Sequence, residues 1–246
     1  MQHSDNALAR KLSNFIRLSP AELDCLTEIQ AKPQKIDAQT DIVHEGQTGH
    51  HAYILQRGWA YCYKLLPDGG RQVITFSLPG DFMGLRSVLL RTSDHSFSSV
   101  SDVLVSTIAV PRMIRLFTEF PRLGAALLWA VSRDEAVMVE HLVGIGRRSA
   151  IERMAHFFLE LGQRLQLVGM ATETKFECPL NQYLLADALG LTAIHVNRVL
   201  RQLREQGLIT LKEHHVVIED PKGLMKLAGF DNAYLDQPLP WAKIDG

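Results

Sequence analysis

The chain has 246 residues, which is more than one average domain and leads us to expect two. Apolar residues make up 46% and charged residues 22%, as in an ordinary globular protein, and the net charge of −1 excludes a strong overall positive balance. No apolar run approaches the roughly 18 residues of a membrane span, and no signal-peptide core opens the chain, so we expect a cytoplasmic protein without a membrane partner. Cys25, Cys62 and Cys178 lie too far apart for a disulfide framework or a metal knuckle.

The first predicted helix begins after Ser19. In the sequence Ser-Pro-Ala-Glu at 19–22, serine can cap the helix, proline suits its first position and the glutamate completes a capping box. These signals predict a short helix that ends near Gln30.

Short strands are predicted between Lys32 and Pro111. The runs WAYCYKLL (59–66) and RQVITFSL (71–78) alternate along the strand, and the PDGG sequence between them (67–70) is a hairpin signal. Several short strands with regular turns predict an antiparallel β-roll, or jelly roll.

After Pro111 the apolar period becomes helical. A narrow stripe with successive spacings of 3, 4, 3, 4 and 3 consists of Leu128, Val131, Glu135, Met138, Leu142 and Ile145. This coiled-coil pattern predicts a long helix that pairs two copies into a homodimer. The alternative is a helix packed on its own domain, which would need a wider apolar stripe. Gly144 and Gly146 weaken the helix, and we expect a hinge and a domain boundary at residues 144–148.

A second capping box, formed by Ser149 and Glu152, opens a helix to about Leu165. The last 25 residues contain prolines and are expected to be an irregular tail, packed through Leu227, Phe230 and Tyr234.

Two capped helices lie between this helix and the tail. Asn181 caps the first, which ends at Gly190, and Thr192 caps the second, which ends at Gly207. The following residues alternate like two strands around a turn at 212–215. Two helices joined through a glycine and followed by a strand pair make a winged helix-turn-helix.

The outer face of the second helix is basic. Between Leu191 and Lys212 there are four basic residues and one acidic residue, a local charge of +3. A major groove admits one helix, and arginine is the usual reader of guanine there. The candidate DNA-binding residues are Asn181, Thr192, Ala193, Ile194, His195, Asn197, Arg198, Arg201 and Lys212. The alternative is a solvated charged face, but the glycine turn, the cap and the wing together favour binding to double-stranded DNA.

Two segments resemble the Crp/Fnr transcription regulators. They are EGQTGHHAYILQRGWAYCYKLLPDGGRQVITFSLPGDFMG at 45–84 and LLADALGLTAIHVNRVLRQLREQGLI at 184–209, and the resemblance covers about residues 15–220. It implies an α+β chain that forms a homodimer, reads a two-fold symmetric operator and has RNA polymerase as a further partner. We divide the chain into a cyclic-nucleotide-binding-like sensor β-roll with flanking helices (1–120), a dimerisation helix (121–146), a winged helix-turn-helix (147–222) and a tail (223–246).

The same resemblance indicates which residues read bases. The family's base-reading positions fall on Ile194, Asn197 and Arg198, and the first of them is often glutamate in the family. The isoleucine puts the family's usual operator sequence in doubt. Either His195 partly substitutes for the glutamate, or Ile194 contacts a thymine methyl group.

The sequence PGDFMGLRSVLL at 79–90 contains a glycine-bracketed loop that can wrap a small anionic ligand. Relatives that bind cyclic AMP hold its ribose with a glutamate and its phosphate with an arginine, and the resemblance aligns these positions with Leu85 and His95. Leucine cannot accept a hydrogen bond from a ribose hydroxyl, and neutral histidine lacks the donors of arginine, so we expect no cyclic AMP binding. The candidate effector-pocket residues are Gly80, Phe82, Gly84, Leu85, Arg86, Ser87, His95, Ser96 and Met138.

Other cofactors have weaker support in the sequence. Iron–sulfur sensors of the family need four cysteines, mostly near the N-terminus, where only Cys25 lies, so we expect no cluster. A haem sensor would need an axial ligand, and the candidate ligands are His44, His50, His51, His95 and His141. The rival class is a metal-dependent, cupin-like enzyme, but Glu45 and His51 are its nearest ligand set and no His-x-His motif exists, so we expect neither a metal site nor an enzyme. The effector stays open between an apolar molecule, an acidic molecule and none.

Overall fold

The computed structural model describes residues 6–48, 51–85 and 92–236, and within them two compact units. The first unit contains the chain up to Lys64 together with Thr75–Arg133, and the second contains Leu65–Ile74 together with Asp134–Asp236. The division therefore falls inside the long helix and assigns a hairpin tip to the second unit, whereas the sequence placed the boundaries at the ends of that helix.

The first unit combines helices with antiparallel strands. Its helices are α1 (Ala7–Ser13), α2 (Pro20–Ile29), α3 (Val110–Glu119) and the first part of α4 (Pro121–Arg147). Apart from the tip of the β4–β5 hairpin, which belongs to the second unit, its strands are β1 (Gln34–Ile36), β2 (Asp41–Val43), β3 (His51–Arg57), β4 (Ala60–Leu65), β5 (Arg71–Ser77), β6 (Phe82–Met83), β7 (Ser96–Ser99) and β8 (Val103–Ala109). They form two four-stranded sheets, in the orders β1-β8-β3-β6 and β2-β7-β4-β5. The predicted helix and β-roll are confirmed.

Local signals explain how these elements start and turn. At α2 the Ser19 Oγ accepts a hydrogen bond from Glu22 N (3.3 Å) and the Glu22 carboxylate accepts one from Ser19 N (2.7 Å), which is the predicted capping box. The β4–β5 turn closes through Leu66 N, which donates to Gly70 O at 2.8 Å. Gly69 takes a φ of +82° there, a conformation that strongly favours glycine.

The core of the first unit joins its helices to its first sheet. Leu8 and Leu12 of α1 and Leu26 of α2 are fully buried with Ile54 and Ile108 of the sheet. A fully buried side chain of this size stabilises the fold by about 1.5–3 kcal/mol, so the amphipathic face of α1 anchors that helix to the unit.

The second unit carries the winged helix-turn-helix. It contains the second part of α4 and also α5 (Ala150–Leu167), β9 (Lys175–Glu177), α6 (Gln182–Leu189), α7 (Ala193–Glu205), β10 (Ile209–Lys212) and β11 (His215–Ile218). The wing is a three-stranded antiparallel sheet in the order β10-β11-β9, and β9 was not predicted. Helix α4 continues through Gly144 and Gly146 to Arg147, so the break before α5 is at Arg148, the last residue of the expected hinge.

The expectation of an irregular tail is wrong at its start. Residues Pro221–Ala228 form helix α8, capped by Asp220 and ended by Gly229, and Asn232–Tyr234 form a turn of 3₁₀ helix. Phe230 and Leu235 are buried behind it. The packing expected for the tail through Phe230 is confirmed, whereas residues 237–246 lie outside the described part of the chain.

Candidate nucleic-acid interface

The turn between α6 and α7 is fixed by caps on both sides. Asn181 Oδ1 accepts hydrogen bonds from Tyr183 N (3.0 Å) and Leu184 N (2.9 Å) at the start of α6. Gly190 ends that helix with a φ of +61°, and Thr192 Oγ1 accepts from His195 N at 3.2 Å to start α7. The sequence predicted all three devices, and together they hold α7 at a fixed angle to α6.

Helix α7 has one buried and one open face. Val196, Val199 and Leu203 are buried against the rest of the unit. Seven of the nine predicted DNA-binding residues are exposed, and five of these lie on α7 or at its cap, namely Thr192, Ile194, Asn197, Arg198 and Arg201. Ala193 and His195 are half-buried, so they lie toward the edge of this face. Ile194, Asn197, Arg198 and Arg201 are related by spacings of three and four, which place them on one side of the helix.

The cations of this face are free to meet phosphates. Arg201 Nε lies 3.5 Å from Glu205 Oε1, and Lys212 Nζ lies 3.5 Å from Glu213 Oε1, with all four side chains well exposed. Surface pairs of this length contribute little, so a phosphate can replace the carboxylate at small cost. A groove of about 540 Å³ runs between α7 and β10, lined by Asn197, Arg198, Leu200, Arg201, Arg204 and Leu211.

One contact within this surface was not predicted. Asn197 Nδ2 donates a hydrogen bond to Gln182 Oε1 at 2.6 Å, and this bond links the first turn of α7 to the first residue of α6. The two residues are 15 positions apart, so no local pattern in the sequence pairs them. The bond fixes the direction in which the Asn197 amide points.

The tip of the β4–β5 hairpin, which precedes the winged helix in the chain, forms hydrogen bonds with helix α6. Arg71 Nε donates to Asp187 Oδ2 at 2.6 Å, and Gln72 Nε2 donates to the backbone oxygen of Asp187 at 2.9 Å. More than 110 residues separate these partners in sequence, so the contact could not be read from a motif. It attaches Leu65–Ile74 to the helix-turn-helix.

A buried carboxylate ties α4, α5 and the C-terminal segment together. Glu160 is fully buried, and its carboxylate lies 3.0 Å from His141 Nε2 and 3.5 Å from Arg164 Nη1. Tyr234 Oη donates to the same carboxylate at 3.2 Å, and His141 Nδ1 lies 3.1 Å from Ile74 O. Burial of such a charge is tolerated only because each oxygen has partners.

A second histidine lies beside this carboxylate. His156 is buried, stacks on Tyr234 with ring centroids 6.1 Å apart and meets the edge of Phe230 at 4.9 Å. Its Nε2 lies 3.4 Å from Glu140 Oε2, and Arg148 donates to that same oxygen at 2.6 Å. The cluster therefore holds two histidines in different electrostatic surroundings.

Those surroundings shift the pKa values in opposite directions. Burial opposes the charge of Glu160, but the positive charges of His141 and Arg164 outweigh it and lower the Glu160 pKa to about 2. Burial also disfavours the charged form of His141, yet the Glu160 carboxylate raises the His141 pKa above its ordinary value. Burial, with the charge of Arg148, lowers the pKa of His156 to about 4.

In the first unit, the effector loop is covered by helix α1. Gly80 has a φ of +89°, and a Cβ there would lie 2.9 Å from Ala7 O. Asp81 accepts hydrogen bonds from Lys11 Nζ at 2.6 Å and from Leu78 N at 2.9 Å, and both Lys11 and Asp81 are buried. This buried ion pair, 70 residues apart in sequence, was not predicted.

The rest of the loop turns apolar side chains inward. Phe82 and Leu85 are partly buried and pack against the core of the unit. Gly84 has a φ of +70°, which supplies the predicted turn. Arg86 and Ser87 were also predicted to line the pocket, and they lie outside the described residues. Leu85, at the position where relatives that bind cyclic AMP have a glutamate, therefore packs against the core of the unit.

His95 and Ser96 already have partners within the same unit. His95 Nδ1 lies 2.7 Å from Asp94 Oδ1, and its ring meets the edge of Phe97 at 5.0 Å. Ser96 is buried, and its Oγ accepts a hydrogen bond from Glu45 N at 2.9 Å. The structure therefore gives both predicted pocket residues roles in the β-roll itself.

The predicted dimer stripe is open along helix α4. Its members Leu128, Val131, Glu135, Met138, Leu142 and Ile145 are all exposed. Leu142 is 71% exposed, and the adjacent Val139 and Val143 widen the apolar surface. Scattered exposed apolar residues are normal, but five of them in a row that only Glu135 interrupts indicate an interaction surface.

Two of the residues considered as cofactor ligands, His141 and Cys178, are hydrogen-bonded or buried within the protein. Both ring nitrogens of His141 lie within 3.1 Å of oxygen partners, so axial ligation of a haem would break that arrangement. Cys178 is buried, and burial raises its pKa to about 12, which makes the thiol unreactive. His50 lies outside the described residues, and within them no three His, Cys, Asp or Glu side chains gather as a metal-binding group.

None of the helices in the described part of the chain is both long and apolar enough to cross a membrane.

Comparisons with known proteins agree with this architecture. Two family models match, the cyclic nucleotide-binding domain over residues 33–120 and the Crp-like helix-turn-helix domain over residues 152–227. The nitrogen fixation regulation protein FixK of Bradyrhizobium diazoefficiens is 34% identical over 72% of this chain and 73% of FixK. The transcriptional activatory protein AadR of Rhodopseudomonas palustris is 33% identical over 75% of this chain and 76% of AadR. The structure of FixK2 from Bradyrhizobium japonicum has a TM-score of 0.71 and 28% identity, and the match covers 81% of this chain and 98% of FixK2.

These matches cover both predicted functional parts of the sequence. One model spans the effector loop and the other spans both helices of the helix-turn-helix and the wing. Relatives above 30% identity match over about three quarters of their own length, and their names describe them as regulatory proteins. The chain therefore belongs to the Crp/Fnr family of DNA-binding transcription regulators.

Proposed function

We propose that two copies of the chain pair along α4 and place two α7 helices on a two-fold symmetric operator. The family binds DNA and works as a dimer, and a symmetric dimer reads half-sites about one helical turn apart. The open stripe on α4 supports the pairing, since an unpaired apolar row of this length would otherwise face water. Because the proposed target is chromosomal DNA, the protein would act in the cytoplasm.

The observation that carries the DNA contact is the exposed face of α7. Arg198 projects from the second turn of a helix whose opposite face is buried, and Arg201 and Lys212 supply cations beside it. Arginine can donate two hydrogen bonds to guanine O6 and N7, while the flanking cations and helix caps meet phosphates. We therefore assign base reading to Arg198 and Asn197, and backbone contacts to Asn181, Thr192, Ala193, Arg201 and Lys212, with His195 at the edge.

The change Arg198→Ala tests this assignment. Loss of a bidentate contact to guanine should weaken binding to a selected operator by about 1–3 kcal/mol, and it should relax the base preference at one position of each half-site. Fluorescence anisotropy on the operator and on a scrambled duplex at one fixed salt concentration measures both effects, because phosphate contacts make all affinities salt-dependent.

A matched control removes a positive charge elsewhere. Lys32 is an exposed residue of the first unit, and Lys32→Ala should leave the preference for operator over scrambled duplex unchanged. If Arg198→Ala and Lys32→Ala bind the operator equally well, Arg198 does not read a base.

We also propose that the sensor domain works without cyclic AMP. Leu85 packs against the core, and His95 is engaged by Asp94, so neither position offers the acceptor or the fork of donors that the ribose and phosphate would need. In addition, the carboxylate in the loop, Asp81, is neutralised internally by Lys11 rather than facing a ligand.

A contact with RNA polymerase completes the proposal. AadR is named a transcriptional activatory protein and is 33% identical to this chain, which supports activation as the mode of regulation. Activation by a DNA-bound dimer requires a surface that touches the polymerase, and RNA polymerase is therefore the expected protein partner.

A further inference from the structure

Ile194 is an apolar side chain in an unusual position. It is 83% exposed, more than any other large apolar side chain in the described part of the chain. Thr192 caps α7 and Ala193 is its first residue, so Ile194 occupies the second position of the helix. Water contact of this extent has a cost, and nothing within the unit covers the side chain.

The residues around Ile194 are polar, which distinguishes this site from a surface that binds another protein. On the exposed face of α7 the residues three and four positions on are Asn197 and Arg198, which are polar or charged and exposed. The open stripe of α4 is a row of apolar residues, whereas Ile194 is a single apolar group among polar ones. A lone methyl-bearing side chain of this kind suits a small apolar feature within a polar surface.

The major groove offers one such feature. Each base edge presents hydrogen-bond donors and acceptors, and thymine alone adds a C5 methyl group. The N-terminal residues of a recognition helix are those that contact base edges. A cytosine or adenine amino group facing Ile194 would lose its water without gaining an acceptor, so the side chain also disfavours those bases.

We infer that Ile194 determines specificity by packing against the methyl group of a thymine in each half-site. This inference rests on the proposed role of α7 as the recognition helix. Side chains four apart on a helix lie about 5–6 Å apart, and successive base pairs are about 3.4 Å apart. The thymine therefore lies within about two base pairs of the guanine bound by Arg198.

The geometry favours Ile194 over His195 for this role. His195 is half-buried and lies about 100° further round the helix, outside the face shared by Ile194, Asn197 and Arg198. Asn197 donates a hydrogen bond to Gln182 at 2.6 Å, so the amide beside Ile194 on this face has a fixed orientation. A fixed apolar contact can distinguish a methyl group from a hydrogen atom.

The test compares thymine with deoxyuridine, which lacks only that methyl group. Operators are first selected from random duplexes with the full-length protein, and each thymine of one half-site is then replaced singly by deoxyuridine. We expect one replacement to weaken binding about fourfold, which corresponds to the burial of one methyl group. The variant Ile194→Ala should be indifferent to that replacement, because its shorter side chain does not reach the methyl group.

The control variant separates this inference from the proposed function. Arg198→Ala should bind more weakly overall but keep the fourfold sensitivity to deoxyuridine. If a site is selected and Arg198→Ala weakens its binding, while no thymine methyl matters or Ile194→Ala stays sensitive, only the inference about Ile194 is overturned. If no site is selected at all, the proposed function and the inference both fail.

Discussion

At the scale of single residues, His141 and His156 beside Glu160 make the free energy of unfolding depend on pH. His156 has a folded pKa of about 4 and an ordinary value of 6.5, so the unfolded chain binds its proton first as the pH falls. Its contribution is present above pH 6.5 and is lost between 6.5 and 4. His141 has the opposite sign, because its raised pKa makes its contribution complete below pH 6.5 and lost as the pH rises through the folded pKa.

We therefore predict that His156→Phe flattens the acid side of the stability curve. The variant removes the titrating group but keeps a ring between Tyr234 and Phe230, and up to about 3 kcal/mol of the acid-induced loss should disappear. Urea denaturation at pH 7 and pH 4.5 measures the effect in both proteins. Equal losses in both, or a His156 imidazole that titrates near 6.5 by NMR, would contradict the prediction.

Caps and charge pairs differ in how well a sequence reveals them. Ser19, Asn181 and Thr192 were predicted because a cap and its partner lie within three residues. Lys11 and Asp81 could not be paired, because a separation of 70 residues leaves no local trace and only the folded chain brings the two charges together.

At the scale of elements, the wing contains a strained turn. Glu213 and His214 have φ values of +50° and +60° between β10 and β11, a conformation in which side chains with a Cβ are unfavourable. Two-residue hairpins with two positive φ values prefer Asn-Gly. The sequence predicted the turn from the alternation of its strands but gave no sign of the strain.

Replacement of these two residues by Asn-Gly should therefore stabilise the protein. The double change Glu213→Asn with His214→Gly relieves both residues while keeping His214 O as the acceptor of Cys178 N, and we expect a gain of about 1 kcal/mol. Thermal denaturation measures it. The control Glu219→Asn changes an exposed acidic residue outside the turn and should leave the melting temperature nearly unchanged. A lower melting temperature for the turn variant would show that the observed conformation is not strained.

Length decided which elements could be predicted. The long capped helices α5 and α7 were predicted with ends correct to within two residues. Strand β9 has three residues, too few to show a period, and it exists because it pairs with β11. Helix α8 was not predicted although Asp220 and Pro221 form a start signal, because the prolines further along the chain are typical of an irregular tail.

At the scale of the whole molecule, the sequence predicts the order of the parts, whereas contacts between distant segments leave no sign in it. The β-roll, long helix and winged helix follow from periodicity and turn residues along the chain. The grouping of Leu65–Ile74 with the winged helix follows from contacts such as Arg71 with Asp187, which no periodicity encodes. The candidate DNA face was predicted because it is local to one helix. The contacts of α1 with Gly80 and Asp81 could not be predicted, because α1 lies about 70 residues earlier in the chain.

Pairing along α4 gives the last prediction. Leu142 is 71% exposed, so Leu142→Glu leaves the folded chain intact but replaces one of the apolar residues of the proposed interface with a charged one. Wild-type protein at micromolar concentration should sediment at twice the chain mass of 27.6 kDa, and the variant should sediment at that mass and bind the operator far more weakly. Leu65→Glu is the matched control, since Leu65 is 63% exposed outside α4 and its change should preserve the dimer. A wild-type monomer, or a Leu142→Glu protein that remains dimeric, would place the interface elsewhere, because a second glutamate beside Glu135 in each copy's stripe should strongly weaken association.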